Sequence, residues 1–234
     1  VLLVDLDAGS VARSWRHDWA VEAVAAGEGV AVSSGGRQMI LWDIGGLTGF
    51  GRGVRHDLGV YEDEYVGRTL SAVADRGRSA ISTRAGGGGG CLLWDTGTGA
   101  IRSEVAGSRD WWVGSVAGAR DRDLFVAGVM ERKPGTSDRY GGSRCFVIEG
   151  GRVTGSFDPA SLNGLAVSAD GMTAVTAGTE VSVWDLDALG GEEAGLPNLA
   201  AADMVGGTVV GADDAGHIVA IDPRKGRVVR SLAS

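Results

Sequence analysis

Residues 91–105 read CLLWDTGTGAIRSEV, and this stretch holds the pattern from which the fold can be predicted. Four apolar residues, Cys91 to Trp94, are followed by Asp95, a glycine-containing turn and a second run in which polar and apolar residues alternate. A short apolar run bounded by turn residues is typical of a strand that is buried on both faces. Because Asp can accept hydrogen bonds from nearby backbone amides and Gly tolerates positive φ, Asp95 and Gly99 predict a hairpin turn.

The same unit, an apolar run with an acidic residue and a turn, recurs through the chain. The acidic residues are 36–38 residues apart, or 52–54 residues apart on either side of Asp95. They are Asp5, Asp43, Asp95, Glu149, Asp185 and Asp222. Two candidate strands precede each unit after the first, and an alternating strand follows most of them, which predicts repeats of four short strands. Four-stranded repeats at this spacing are typical of a β-propeller, in which each repeat forms one blade.

The count of strands predicts a single all-β domain over residues 1–234. Residues 1–15 supply only the third and fourth strands of a blade, and residues 16–234 supply five full blades. Because an open propeller leaves unpaired strand edges, we expect this chain to be part of a longer protein that forms a six- or seven-bladed ring. A stack of sandwich domains is the competing fold, but it does not explain the return of one motif at a regular spacing.

The composition excludes several classes of protein. With 22 Lys and Arg against 30 Asp and Glu, the net charge of −8 argues against a broad basic face for nucleic acid. The apolar runs are too short for a membrane helix of about 20 residues, so we expect no membrane partner. Cys91 and Cys145 do not form a disulfide framework, and we expect two free thiols in a cytoplasmic protein.

Several motifs match the pattern of one known family of propellers. They are Trp42-Asp43, Trp94-Asp95, Trp184-Asp185, the turn SADG at 168–171, and His17 and His56 ahead of their blades. With these motifs the chain resembles the WD-repeat family, which implies a propeller fold. The chain departs from the family where Arg16 and Arg55 replace the Gly that comes before His. The family's Asp before the third strand has counterparts only at Asp213 and Asp214.

The last repeat is also similar to another kind of propeller. HIVAIDPRKGRVV at 217–229 resembles the repeats of quinoprotein-like propellers through Ala220, Asp222 and Gly226. The tryptophan that follows in those repeats is replaced by Arg230. This resemblance implies an alternative function, in which a cofactor or small ligand binds at the central channel.

No group of residues in the sequence predicts catalysis or metal binding. His17, His56 and His217 are far apart and lack ligand spacing. The nucleophile motif Gly-x-Ser-x-Gly is absent, and the glycine-rich stretches at 49–53 and 86–90 do not lie between a strand and a helix. We therefore expect no enzyme activity and no cofactor.

Arg, His and Trp residues cluster in three segments that we place ahead of first strands. The candidate partner-binding residues are Arg16, His17, Trp19, Arg55, His56, Arg109, Trp111 and Trp112. Loops at these positions gather on one face of a propeller, and Trp and Arg are typical of binding hot spots. The sequence thus favours a non-catalytic protein–protein interaction scaffold. The alternative is that the Trp residues pack between blades. A polar insertion at 130–143 is a second candidate for a functional loop, with a dispensable linker as its alternative.

Overall fold

The computed structural model describes residues 1–36, 38–45, 54–57, 69–84, 90–106, 111–132, 140–193, 199–205, 207–213, 217–222 and 227–232. These residues form one two-stranded and five four-stranded antiparallel sheets. A short 3-10 turn, Asp75–Gly77, joins two of the strands. Within the described ranges, no helix has the length and apolar character needed to cross a membrane.

The strands follow one another along the chain, and each sheet is one blade. The half blade is β1 (Leu2–Asp5) and β2 (Ser10–Ser14). Blade 1 is β3 (Ala23–Gly27), β4 (Val30–Gly35), β5 (Gln38–Asp43) and β6 (Val54–Asp57). Blade 2 is β7 (Ser71–Ala74), β8 (Ser79–Thr83), β9 (Gly90–Asp95) and β10 (Ala100–Ala106). Blade 3 is β11 (Trp111–Gly118), β12 (Leu124–Arg132), β13 (Tyr140–Glu149) and β14 (Arg152–Phe157). Blade 4 is β15 (Gly164–Val167), β16 (Thr173–Ala177), β17 (Val181–Asp185) and β18 (Gly190–Glu193). Blade 5 is β19 (Leu199–Val205), β20 (Thr208–Asp213), β21 (Ile218–Asp222) and β22 (Arg227–Leu232).

The predicted β-propeller, with five full blades and a half blade, is confirmed. The recurring apolar-acidic segments are the third strands, from β5 to β21. Neighbouring blades contact each other mainly through their first strands, which run in the series β3, β7, β11, β15 and β19. The first strands therefore lie toward the common centre, and the fourth strands lie at the rim.

A hydrogen bond from tryptophan to a hydroxyl recurs in three blades, buried in blades 1 and 2 and partly buried in blade 4. The pairs are Trp42 Nε1 to Ser33 Oγ at 2.8 Å, Trp94 Nε1 to Ser82 Oγ at 2.9 Å, and Trp184 Nε1 to Thr176 Oγ1 at 2.9 Å. In each pair the tryptophan is on the third strand and the hydroxyl is on the second strand. The bond therefore ties the two central strands of the blade together.

Blades 3 and 5 lack both members of this pair. In blade 3 the register places Ile148 at the tryptophan position and Ala127 at the hydroxyl position. In blade 5 the equivalent residues are Ile221 and Gly211. A buried donor or acceptor left without a partner costs about 1–3 kcal/mol, so the two members are replaced together.

The predicted aspartate turns are also confirmed. Asp95 Oδ1 accepts hydrogen bonds from Thr98 N at 2.8 Å and Thr98 Oγ1 at 2.9 Å, and Gly99 ends the turn at φ +72°. Asp5 and Asp185 accept bonds from the backbone amides two and three residues on. Asp5, Asp95 and Asp185 thus each fold the turn that follows them.

Asp95 should titrate at unusually low pH. The hydrogen bonds from Thr98 stabilise its ionised form and hold its pKa below the ordinary value of 3.8. The contribution of this turn to stability is therefore complete above the ordinary pKa and is lost as the pH falls through the folded pKa. An NMR titration of the Asp95 carboxyl should give a midpoint below 3.8, and Thr98→Val should raise it. A midpoint that does not respond to Thr98→Val would contradict this assignment.

Both cysteines are free thiols inside the core, as predicted. Burial raises the pKa of Cys91 to about 12 and also raises the pKa of Cys145. Because the thiolate is the reactive form, neither side chain should react with iodoacetamide in the folded protein at pH 8. Mass spectrometry should find both cysteines alkylated only after unfolding. Rapid labelling of either one in the native state would show that its blade opens.

Candidate functional site

The blades have two ends, and the candidate residues are described by the end at which each lies. In a four-stranded antiparallel blade, the connection from the preceding blade and the turn between the second and third strands lie at the same end. We call this end the loop face. The opposite end carries the turns between the first and second strands and between the third and fourth strands, and we call it the turn face.

Trp19 is the most prominent exposed aromatic side chain on the described part of the loop face. It lies in the segment between β2 and β3, and 54% of its surface is exposed. Its ring lies against the turn after β4, where a Cβ atom added to Gly36 would be 2.9 Å from Trp19 Cγ. Trp19 N donates a hydrogen bond of 3.4 Å to His17 Nδ1. Arg16, in the same segment, is exposed. Arg16, His17 and Trp19 thus share one segment at the loop face.

A polar network centred on the buried Thr69 and Ser34 supports the turn beneath Trp19. Thr69 Oγ1 donates to the Gly36 carbonyl oxygen at 2.7 Å, and Thr69 N donates to Glu22 Oε2 at 2.7 Å. Ser34 Oγ donates to the Thr69 carbonyl oxygen at 3.0 Å. This network joins blade 1 to the start of blade 2 and fixes the turn on which Trp19 rests. The sequence analysis missed it, although the consecutive hydroxyls of β4 were a possible signal.

Arg55 and His56 are not in a loop ahead of a first strand. They lie in β6, where they pair with Ile40 and Met39 of β5. The prediction was wrong by one strand because blade 1 needs a fourth strand to complete its sheet, and residues 54–57 supply it. These two residues are therefore part of the rim strand of blade 1.

Trp111 and Trp112 begin β11, the first strand of blade 3. The Trp111 ring lies 5.6 Å from the ring of Phe146, and Arg144 Cζ lies 5.5 Å from the Trp111 centroid. Arg144 in turn donates hydrogen bonds to both oxygens of Asp158, at 2.6 and 3.1 Å. Trp111 is thus half-buried against Phe146, and the guanidinium of Arg144 lies over its ring. The pKa of Arg144 is raised by the hydrogen bonds to Asp158.

Blade 3 is taller than its neighbours on the loop face. β11 has 8 residues, whereas β7 and β15 have 4 residues each. Gly118, at the end of β11, lies beside Val73, so the additional residues extend from the loop face. Four additional residues correspond to about 13 Å at roughly 3.3 Å per residue. Trp111 and Trp112 are in this raised part.

Both ends of the predicted loop at 130–143 belong to the sheet. β12 continues to Arg132 and β13 starts at Tyr140, with Met130 opposite Ser143 and Arg132 opposite Tyr140. The polar composition suggested a loop, but backbone pairing extends into the segment from both sides. Residues 133–139 lie outside the described residues, as do Arg109, Asp214, Gly226, the glycine-rich stretch at 49–53 and residues 86–89 of the stretch at 86–90.

The described residues do not contain a group of three or more His, Cys, Asp or Glu side chains that could hold a metal ion. His17 precedes β3, His56 lies in β6 and His217 precedes β21. The structure therefore places the three histidines in two blades at opposite ends of the chain.

No protein-family model and no curated protein sequence matches the chain. Solved structures do match it. A crystal structure of the RRP9 WD40 repeats has a TM-score of 0.69 at 14% identity, and covers 93% of this chain and 64% of that one. A structure of U3-55K has a TM-score of 0.68 at 13% identity, with coverages of 93% and 65%. A crystal structure of a mitotic checkpoint complex has a TM-score of 0.66 at 15% identity, with coverages of 92% and 64%.

These matches establish the fold of the chain as that of the WD-repeat propellers. The chain spans slightly less than two thirds of the length of each of the three structures. At such low identity the likeness concerns the path of the backbone, and it carries no residue of a site from one protein to another.

Proposed function

We propose that this WD-repeat-like propeller is a non-catalytic scaffold that binds a protein partner through its loop face, with Trp19 and Arg16 at the contact. The observation that carries the proposal is the half-exposed Trp19 ring, held in place on the loop face. Trp and Arg are the residue types most enriched among residues that dominate binding energy.

The way Trp19 is held favours binding. The ring rests on the Gly36 turn, and Thr69 and Ser34 fix that turn to the start of blade 2. A side chain that is already ordered loses little conformational entropy when a partner covers it. When a partner covers the exposed half of the Trp19 ring, little of the resulting binding free energy is then spent on ordering the side chain.

Blade 3 supplies a second contact point to this interface. Its raised strands bring Trp111, with Arg144 on its face, above the neighbouring first strands. Arg144 is held by Asp158 and stays oriented without a partner. A partner that touches Trp19 and the raised blade together would span several blades, as a protein surface can and a small ligand cannot.

Two further findings support this role. One of the similar solved structures is of a complex, the mitotic checkpoint complex. The two buried free thiols fit a reducing compartment, so we place the scaffold in the cytoplasm.

Replacing Trp19 should test the proposal directly. Trp19→Ala should weaken binding of a partner captured by the wild-type protein at least about 30-fold, which corresponds to a hot spot of about 2 kcal/mol. Met172→Ala is the matched control, because Met172 is 50% exposed but lies on the turn face. Affinities are measured by biolayer interferometry after the partner has been identified by capture and mass spectrometry. Equal affinities of the two variants, with both folded by circular dichroism, would refute the role of the loop face.

A further inference from the structure

The turns between the first and second strands of blades 1, 2 and 3 meet on the turn face. A Cβ atom added to Gly27 would lie 2.6 Å from Gly77 Cα, so the turns of blades 1 and 2 are in contact. Asp75 N donates a hydrogen bond of 3.1 Å to the Ala119 carbonyl oxygen, which joins the turns of blades 2 and 3. Because the first strands lie toward the common centre, these turns form one continuous surface on the inner part of the turn face.

Three exposed arginine side chains lie on this surface, and we call them the arginine patch. Arg76 and Arg78 belong to the turn of blade 2, and Arg120 belongs to the turn of blade 3. Their side chains are 55%, 74% and 68% exposed. Arg76 N donates a hydrogen bond to the Arg120 carbonyl oxygen, and the Arg120 side chain reaches Glu28 of blade 1. The three arginines are therefore close neighbours, although they come from two blades.

Most N–H groups of the arginine patch have no acceptor among the described residues. Arg76 uses only Nε, which donates to Asp121 Oδ1 at 3.0 Å. Arg120 and Arg78 each use only Nη2, which lies 3.4 and 3.5 Å from a carboxylate oxygen. Since a guanidinium has five N–H donors, the patch can bind further anionic oxygens and keep the ion pairs that it already has.

Other arginines of the turn face are fully used by the fold. Arg122 donates to both carboxylate oxygens of Glu149, at 2.7 and 3.1 Å, and to Asp187 of blade 4 at 3.5 Å. Arg102 donates to a hydroxyl at 2.8 Å and to a carboxylate at 2.9 Å. Both side chains are 34% exposed, about half the exposure of those in the arginine patch. The turn face thus has structural arginines and, separately, arginines with unused donors.

The backbone at Arg76 is strained. Its φ of +53° and ψ of +31° lie in the left-handed region, which favours glycine. In the equivalent turn of blade 4, Ser168 to Gly171, which the structure describes completely, only Gly171 has a positive φ. A left-handed arginine costs more free energy than an exposed ion pair contributes. Stability therefore does not explain why an arginine occupies this position.

We propose that the arginine patch binds an acidic segment of a partner protein. Carboxylates of the partner accept hydrogen bonds from the unused N–H groups, since Arg–carboxylate hydrogen bonds are charge-assisted and can be bidentate. The chain has a net charge of −8, so an acidic segment is repelled by the surface as a whole and is attracted only where positive charge is concentrated. The patch lies at the opposite end of the blades from Trp19, and this inference is independent of the proposed function of the loop face.

A nucleic acid fits the patch less well than a peptide does. The carboxylates of Glu28, Asp75 and Asp121 lie beside the arginines. A nucleic acid carries a negative charge on every nucleotide, so its phosphates next to these carboxylates are repelled. A peptide can place acidic side chains opposite the arginines and neutral or basic ones opposite the carboxylates. The partner is therefore a protein, and the test includes an oligonucleotide.

A fluorescein-labelled peptide of six Glu-Gly repeats is the probe. Fluorescence polarisation at low ionic strength measures its binding to the full chain. We expect saturable binding by the wild-type protein, and Arg76→Ala combined with Arg120→Ala should weaken it at least about tenfold. Arg152→Ala is the matched control, because Arg152 is an exposed arginine on the same face at the start of the rim strand β14. Arg152→Ala and Trp19→Ala should both leave peptide binding unchanged.

Arg76→Gly separates binding from stability. It should weaken peptide binding and raise the Tm by about 1–3 °C, because glycine relieves the left-handed backbone. A Tm at or below that of the wild-type protein would show that Arg76 serves the fold, and would overturn the inference. The inference is also wrong if the peptide does not bind, or if Arg152→Ala weakens binding as much as the double substitution does. Tighter binding of a thymidine oligonucleotide of twelve nucleotides than of the peptide would assign the patch to phosphates instead.

Discussion

Trp94→Ala is expected to lower the free energy of unfolding by about 3–5 kcal/mol. Trp94 is fully buried and packs in a cluster that contains Val32, Met39 and Leu41 of blade 1. Its removal leaves a cavity between two blades and also leaves Ser82 Oγ without its donor. Urea denaturation followed by circular dichroism measures the change.

Two controls separate packing from the hydrogen bond. Trp19→Ala removes the same side chain from an exposed site and should cost less than about 1 kcal/mol. Ser82→Ala in the Trp94→Ala background should restore part of the loss, because the second change removes the orphaned hydroxyl. An effect of Trp94→Ala no larger than that of Trp19→Ala would show that blades 1 and 2 do not pack as described.

Gly118→Val should destabilise the protein by about 3 kcal/mol or more. A Cβ atom on Gly118 would lie 2.4 Å from the carbonyl oxygen of Val73 in blade 2. Because the obstacle is backbone, it cannot move aside without shifting β7 and separating the first strands of two blades. The Tm measured by differential scanning calorimetry reports the loss.

Gly142 provides the control for this substitution. It lies in β13 of the same blade, and a Cβ atom added to it would meet no atom within 4 Å. Gly142→Val should therefore change stability by less than about 1 kcal/mol, within the usual range for surface positions. Similar Tm values for the two variants would mean that β11 and β7 are not in close contact.

The sequence alone was sufficient for the features that depend on local pattern. The apolar run and turn around Asp95 predicted a third strand and its hairpin, because both depend on residues within about ten positions. The same holds for the equivalent turns of Asp5 and Asp185. The blade count followed from the spacing of these units, and burial of Cys91 and Cys145 followed from their apolar neighbours.

Features that depend on pairing between distant residues could not be predicted in this way. Arg55 and His56 were expected in a loop, because the short stretch around them has no apolar pattern that marks a strand. The extension of β12 and β13 past Met130 was missed for the same reason, since backbone pairing does not require apolar side chains. The contact of Thr69 with Gly36 joins residues 33 positions apart and has no sequence signature.

Within the candidate site, residue types were easier to predict than residue roles. The composition of residues 16–19 indicated an interaction segment, and the structure places Trp19 half exposed on the loop face. Trp111 has the same side chain, but Phe146 and Arg144 pack against it. Only the contacts of each ring distinguish the exposed Trp19 from the half-buried Trp111.

The arrangement of blades around a common centre is the claim on which the loop face depends. Val11, Ile101 and Val153 are exposed on the fourth strands of the half blade, blade 2 and blade 3. Spin labels on cysteines introduced in pairs at these positions can be attached selectively, because Cys91 and Cys145 are buried. Double electron–electron resonance measures the distance between the two labels of each pair. If the blades lie on a circle, this distance should increase with the number of blades between the labels, but less than in proportion to that number. Distances that rise in direct proportion would indicate a linear stack of sheets and would contradict the propeller.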